Sequence, residues 1–197
     1  SVLKSLIKNI NNSRDIIISS NSMDVKNLKS SKNFVESFVD RLLIDNERID
    51  SIIVSLEEII AIKDPVGEIK NLETMPSGIK VGKMAMPLGV IAMIYESRPN
   101  VTVDASALSI KSGNSIILRG GSESINTNLV LANCIQSSLS ENNLDKNIVQ
   151  LIDNTDREIV NELLLQNNYI DIVIPRGGKN LISLIDKISS IPVLRHL

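Results

Sequence analysis

Three short stretches of this chain gather residues able to handle charge. YESRPNVT (residues 95–102) puts an acid, an arginine, a proline and an asparagine into one turn after an apolar run. LRGGSES (118–124) and PRGGKN (175–180) repeat a theme, an apolar run ending in Arg-Gly-Gly. Paired glycines let successive backbone N–H groups face one concavity, a following helix adds its positive end, and an arginine supplies a charge that does not titrate. Arg119, Gly120, Gly121 and Ser122 in the first loop, and Arg176, Gly177, Gly178 and Lys179 in the second, are therefore candidates to hold an anion such as a nucleotide phosphate. Glu123 admits two readings. It could accept hydrogen bonds from ribose hydroxyls, or it could be a first-turn glutamate favoured by the helix dipole, with Ser122 as N-cap. For YESRPNVT the plain reading is a rigid Pro99 turn whose polar groups cap the next helix.

Other chemistries find little support. One cysteine, Cys134, precludes an internal disulfide framework, and its neighbours Val130, Leu131 and Ile135 suit a small buried hydrophobe with no base to activate it. With His196 the lone histidine, neither a His-rich metal centre nor a Ser-His-Asp triad is expected. Lys111 sits where a lysine complements a helix C-terminus, and Asp40 and Arg41 suit surface or packing pairs. The 21 basic residues nearly balance the 23 acidic ones, so neither nucleic acid nor an anionic membrane is an expected partner. The absence of a membrane-length apolar run or a signal-peptide pattern at the start makes the cytoplasm the expected location.

These loops need a scaffold to aim them. At 197 residues the chain can bury one good core. Up to residue 74 apolar residues recur at helical spacing, with Ile49, Ile52, Ile53, Leu56, Ile59 and Ile60 as one stripe and Phe34, Val35, Phe38 and Val39 as another. Two to four amphipathic helices are expected there. KDPVGEI (63–69) stops the pattern, and residues 75–87, around Gly78 and Gly82, read as an exposed ribbon or arm. Residues 88–197 change rhythm. Apolar runs at 90–94, 115–118, 148–152, 170–174 and 192–194 alternate with helical patterns at 102–112, 124–139, 156–166 and 179–188. Continuous apolar strands separated by helices predict an α/β fold, a doubly wound Rossmann-like parallel sheet preceded by N-terminal helices and a ribbon. Ligands of such sheets bind beyond the carboxyl ends of the strands, which is where all three loops fall.

The stretch PLGVIAMIYESRPNVTVDASALSIKSGNSIILRGGSES (87–124) resembles the signature region of the γ-glutamyl phosphate reductase family, a divergent branch of the aldehyde dehydrogenase superfamily. VDRLLIDNERI (39–49), KDPVGE (63–68), TDREIVNELL (155–164), YIDIVIPRGGKNLI (169–182) and PVLRHL (192–197) extend the likeness over nearly the whole chain. The resemblance implies NADPH-dependent reduction of γ-glutamyl 5-phosphate to glutamate 5-semialdehyde in proline biosynthesis. In that family a cysteine thiolate expels phosphate to give a thioester, which hydride from the nicotinamide then reduces. The nucleophilic cysteine belongs to a further domain after the RHL segment. The chain is accordingly expected to be the N-terminal cofactor-domain portion, truncated and inactive by itself.

Residue by residue, the family likeness puts Arg119 near the adenosine ribose or a 2′-phosphate, with Arg176 and Lys179 as further basic contacts, and makes Glu123 the ribose-binding acid. Gly177 and Gly178 match the region receiving the pyrophosphate or the adenine side. YESRPNVT falls on the oxyanion loop, where Glu96, Ser97 or Asn100 could occupy the oxyanion position and Arg98 could hold a substrate phosphate or α-carboxylate. His196 is expected at a domain junction. The likeness further implies a homo-oligomer paired through the ribbon and functional coupling to glutamate 5-kinase. Two alternatives stay open: a non-catalytic nucleotide- or protein-binding module, and the reductase part of a fused pyrroline-5-carboxylate synthase.

Overall fold

The structure, a computed structural model, describes residues 1–31, 35–156 and 158–195. Phe34 and His196, both singled out above, lie outside the described residues. Four helices come first: α1 (Val2–Asn12), α2 (Arg14–Lys29), α3 (Glu36–Leu42) and α4 (Asn46–Ala61). Helix α4 shows why these residues form a helix. Asp45 caps it by accepting the Arg48 N–H at 2.9 Å, and Ile49, Ile52, Leu56 and Ile59, spaced by three and four, are its buried face. The second expected stripe does not bury: Val35 and Phe38 of the α3 region are exposed, and in this seven-residue helix only Leu42 reaches the core. A helix of two turns offers too short a face to turn both ends of such a stripe inward.

Strands β1 (Ile69–Thr74) and β2 (Lys80–Met84) pair antiparallel, with Ile69 opposite Met84 and Thr74 opposite Lys80. The ribbon thus starts at Ile69, not at residue 75, so 69–74 is strand where the helical segment was expected to continue. Gly78, at φ 82°, supplies the left-handed turn residue that closes it. Every residue of both strands is exposed.

The second sheet has four parallel strands, β3 (Val90–Tyr95), β4 (Ser115–Arg119), β5 (Val149–Leu151) and β6 (Ile172–Arg176), in the order β5-β4-β3-β6. Helices α5 (Asn100–Lys111), α6 (Ile125–Glu141), α7 (Glu158–Leu164) and α8 (Lys179–Ile188) alternate with them. Ile91 and Tyr95 of β3, with Ile116 and Leu118 of β4, face one core shared with α5, α6, α1, α2 and α4. Ala92 and Ile94 face a second core with α7 and α8 residues such as Leu164 and Ile185. Strands buried on both faces account for the unbroken apolar runs. Each large aliphatic fully buried here, Leu6 and Ile10 of α1 or Leu131 and Ile135 of α6 among them, contributes about 1.5–3 kcal/mol. The strand expected at 192–194 is reduced to a single bridge, Val173 to Val193. β6 is therefore nearly an edge, which explains how Pro175 is tolerated within it.

Candidate functional site

Strand order marks where a sheet of this kind takes a ligand. From β3 the chain moves through α5 to β4 on one side, whereas β6 returns to the other side of β3. The reversal falls between β3 and β6, the switch point where open α/β sheets bind ligands. Tyr95 and Arg176 are paired at that end of the two strands.

The loop leaving β3 ties the two glycine loops together. Its Glu96 N–H donates to the Arg176 carbonyl at 3.2 Å, and its Arg98 N–H to the Glu96 carbonyl at 2.7 Å, which makes a tight turn. Glu96 Oε1 accepts the Gly178 N–H at 2.8 Å, at the N-terminus of α8. Ser97 Oγ donates to Glu123 Oε2 at 2.7 Å, across to the first loop. Pro99 starts α5, but no side chain caps that helix, so the capping role expected of these polar groups is not what they perform. They bridge neighbouring loops instead.

The glycines are needed for close approach. A Cβ on Gly121 would lie 2.6 Å from Ser97 Oγ and 3.0 Å from the Ser97 nitrogen, and one on Gly177 would lie 2.9 Å from Glu96 Oε1. What approaches them here is the β3 loop. Ser122 is not the N-cap proposed for it: Ser122–Ser124 forms a 3-10 turn with no side-chain cap, and the exposed Glu123 is held by Ser97.

Both helix ends expected to attract an anion already face carboxylates of the protein. Glu96 meets α8. At α6, Asp24 of α2 accepts the Thr127 N–H at 2.8 Å and Thr127 Oγ1 at 2.6 Å on one oxygen, and the Asn126 N–H at 3.3 Å and Asn126 Nδ2 at 2.7 Å on the other. Asp24 is 1 % exposed, and Asn21 beside it bonds Thr127 Oγ1, the Leu42 carbonyl and the Ile44 N–H. Sequence reasoning passed over Asp24, whose partners lie far along the chain. Its one local signal was a carboxylate on the apolar side of a helix.

Arg119 is 8 % exposed and donates to the carbonyls of Gly120, Thr155 and Asp156, so it pins the loop after β5. Below it a buried polar chain runs from Tyr95 Oη to Thr102 Oγ1 (2.7 Å), on to Asn128 Oδ1 (3.0 Å), and from Asn128 Nδ2 to Ser124 Oγ (3.0 Å). Burial pushes the Tyr95 phenol up to about 12, with the Thr102 hydrogen bond and the nearby Arg119 opposing the shift, so it stays neutral. Asn100 donates to Asp104 Oδ2 at 3.2 Å. Arg98, Arg176 and Lys179 are exposed at the carboxyl ends of β3 and β6.

Cys134 is buried in α6, its thiol pushed up by burial, as its apolar neighbours implied. Lys111 lies in the last turn of α5, as expected, and also donates to the Ile60 carbonyl at 3.2 Å at the end of α4. Asp40 pairs with Arg48 at 2.6 Å. Among the described residues no group of three or more His, Cys, Asp or Glu could hold a metal ion, and no helix is long and apolar enough to cross a membrane.

No family model matches the chain. The chain is 46 % identical over 195 residues to γ-glutamyl phosphate reductase from Ruthia magnifica subsp. Calyptogena magnifica, covering 99 % of this chain and 46 % of that protein. The crystal structure of γ-glutamyl phosphate reductase from Thermotoga maritima superposes with a TM-score of 0.93 at 39 % identity, over 98 % of this chain and 46 % of that one. An NAD-dependent benzaldehyde dehydrogenase from Corynebacterium glutamicum shares the fold at 13 % identity, with a TM-score of 0.76 over 100 % of this chain and 40 % of that one. Across nearly its whole length the chain is homologous to γ-glutamyl phosphate reductases, and it spans about half the length of the curated relatives it matches.

Proposed function

We propose that the chain is the cofactor-binding portion of a reductase that uses NADPH to convert γ-glutamyl phosphate to glutamate 5-semialdehyde in proline biosynthesis, in the cytoplasm. The observation that carries this reading is the meeting of three strand-end loops at the β3/β6 reversal in a chain homologous to such reductases. The residues present suit a dinucleotide. Exposed Arg98, Arg176 and Lys179 offer cations to its phosphates, and Glu123, oriented by Ser97, offers an acceptor to ribose hydroxyls. Gly178 becomes a donor to phosphate once Glu96 releases it. When bound, the cofactor supplies the hydride that reduces the acyl carbon.

The chain's own residues orient and hold. Arg119 fixes the loop that closes the adenosine side, and the Tyr95–Thr102–Asn128 chain holds the floor under the glycine loops without exchanging protons. The exposed ribbon, with Ile69, Leu72, Ile79 and Met84 uncovered, fits pairing of subunits into a homo-oligomer. Functional coupling to the kinase that makes the labile acyl phosphate, glutamate 5-kinase, belongs to the same reading.

The test is a titration with NADPH and with NADH, followed by cofactor fluorescence, which no tryptophan obscures. Saturable NADPH binding that weakens about tenfold in Lys179→Ala, with NADH binding less changed, is expected. A chain folded by circular dichroism that binds neither cofactor overturns the reading.

A further inference from the structure

Beside the β3 loop, residues of α3, α4 and α5 and of the turn between α3 and α4 line an open cavity of about 300 Å³. Its polar lining is Arg41, Arg48, Ser51, Ser55, Asn100 and Asp104. The two kinds of charge differ in how they are satisfied. Arg48 is fixed, donating to the carbonyls of Asp40 and Leu43 and to Asp40 Oδ1. Arg41 is exposed and takes part in no ion pair among the described residues. Among the described residues Asp104, half-buried, accepts from Ser55 Oγ at 3.0 Å and Asn100 Nδ2 at 3.2 Å, both neutral donors. Burial raises its carboxyl above the ordinary value, and those two bonds and the more distant Arg176 offset this only in part. A carboxylate partly withdrawn from water without a cation in contact is a poor arrangement for stability and a good one for receiving an ammonium group.

A cavity with a carboxylate on one wall and guanidinium groups on another matches a ligand carrying both an ammonium and a carboxylate. Its volume is at the lower end for small-molecule sites, suited to a compact ligand. Pro99, at the end of the β3 loop, and Asn100, the first residue of α5, form part of its wall. A ligand seated there lies next to the crevice in which the proposed reaction occurs.

We propose that this cavity binds the free amino-acid end of the substrate, its α-ammonium against Asp104 and its α-carboxylate against Arg41 and Arg48. The assignment rests on the reductase reading, and it makes Arg98 a phosphate contact rather than the holder of the α-carboxylate.

The experiment is a backbone-amide NMR titration of the ¹⁵N-labelled chain with three probes: L-glutamate, glutarate, which lacks the ammonium, and 4-aminobutyrate, which lacks the α-carboxylate. L-glutamate is expected to shift amides in 41–55 and 100–104 saturably at millimolar concentration, and each truncated probe to bind at least about tenfold more weakly. Asp104→Asn should weaken L-glutamate about tenfold and leave glutarate unchanged, and exposed Arg41→Gln should weaken L-glutamate and glutarate alike. Dispersion of the same spectra reports folding, and should Asp104→Asn not fold, Arg41→Gln and the probe comparison decide. Equal shifts with glutarate, or no saturable shift at these amides, overturn the proposal even where NADPH binds normally. NADPH binding lost while the chain still discriminates L-glutamate counts against the cofactor reading and supports the pocket.

Discussion

Replacing Asp24 should be the most damaging single polar change in this chain. Its two carboxylate oxygens each accept two hydrogen bonds, and three of the four are at 2.8 Å or less. Thr127 is fully buried, so in Asp24→Ala its N–H has no route to water, whereas half-buried Asn126 can recruit solvent. An unmet buried donor costs about 1–3 kcal/mol, and loss of an N-terminal cap about 0.5–2 kcal/mol. Together these give about 1.5–5 kcal/mol for Asp24→Ala. In a domain of this size about 1 kcal/mol moves the midpoint by roughly 2–4 °C, so a fall of roughly 3–20 °C is expected.

Asp24→Asn distinguishes geometry from volume. It keeps the shape, but its NH₂ must point at one pair of donors, Thr127 N–H with Oγ1 or Asn126 N–H with Nδ2. The hydroxyl can rotate to accept, yet a backbone N–H cannot. This variant should lose about 2–3 kcal/mol. Thermal unfolding by far-UV circular dichroism reads both. A midpoint within about 3 °C of wild type for Asp24→Ala, or an Asn variant as stable as wild type, would refute the reasoning.

Two further outcomes are expected. Because the Glu96 carboxylate competes with a phosphate for the Gly178 N–H, Glu96→Ala, which removes the acceptor, should tighten NADPH binding several-fold in the fluorescence titration; unchanged or weaker binding would show that Glu96 is not in competition. Asp104 makes a pH prediction. Its folded pKa is raised, so between the unfolded value, about 3.9, and the raised folded value the native state holds more proton than the unfolded chain, and stability falls as pH rises through that window. Asp104→Asn should therefore gain on wild type as pH rises from below that window to neutrality, and a stability difference independent of pH would rule this out.

The sequence made the local elements legible and left their partners obscure. The apolar runs of β3, β4 and β6 and the Arg-Gly-Gly turns could be read because burial on both faces and tight turns demand particular residue types at short range. The β5-β4-β3-β6 order carries no local signature, so nothing in PRGGKN foretold that its Gly178 N–H would be taken by Glu96. Arg119 illustrates the same limit. An arginine at a strand end reads as a ligand contact, and only the path of residues 155–156 over it adds two backbone carbonyls to the one its neighbour Gly120 offers the guanidinium. Val35 and Phe38 show the reverse error, apolar periodicity on a helix too short to bury both ends of the stripe.

The strand order has a consequence for biosynthesis. Synthesised from the N-terminus, β3, β4 and β5 can assemble as soon as residue 151 is free, but the outer side of β3 stays open until β6, at 172–176, arrives. Over that interval Val-Ile-Ala-Met-Ile-Tyr, uncharged and free of proline, presents an unpaired edge, the kind of segment most prone to stack on copies of itself. β6 thus also shields the nascent chain from aggregation, and any delay between residues 151 and 176 lengthens the time for which a chaperone must cover that edge.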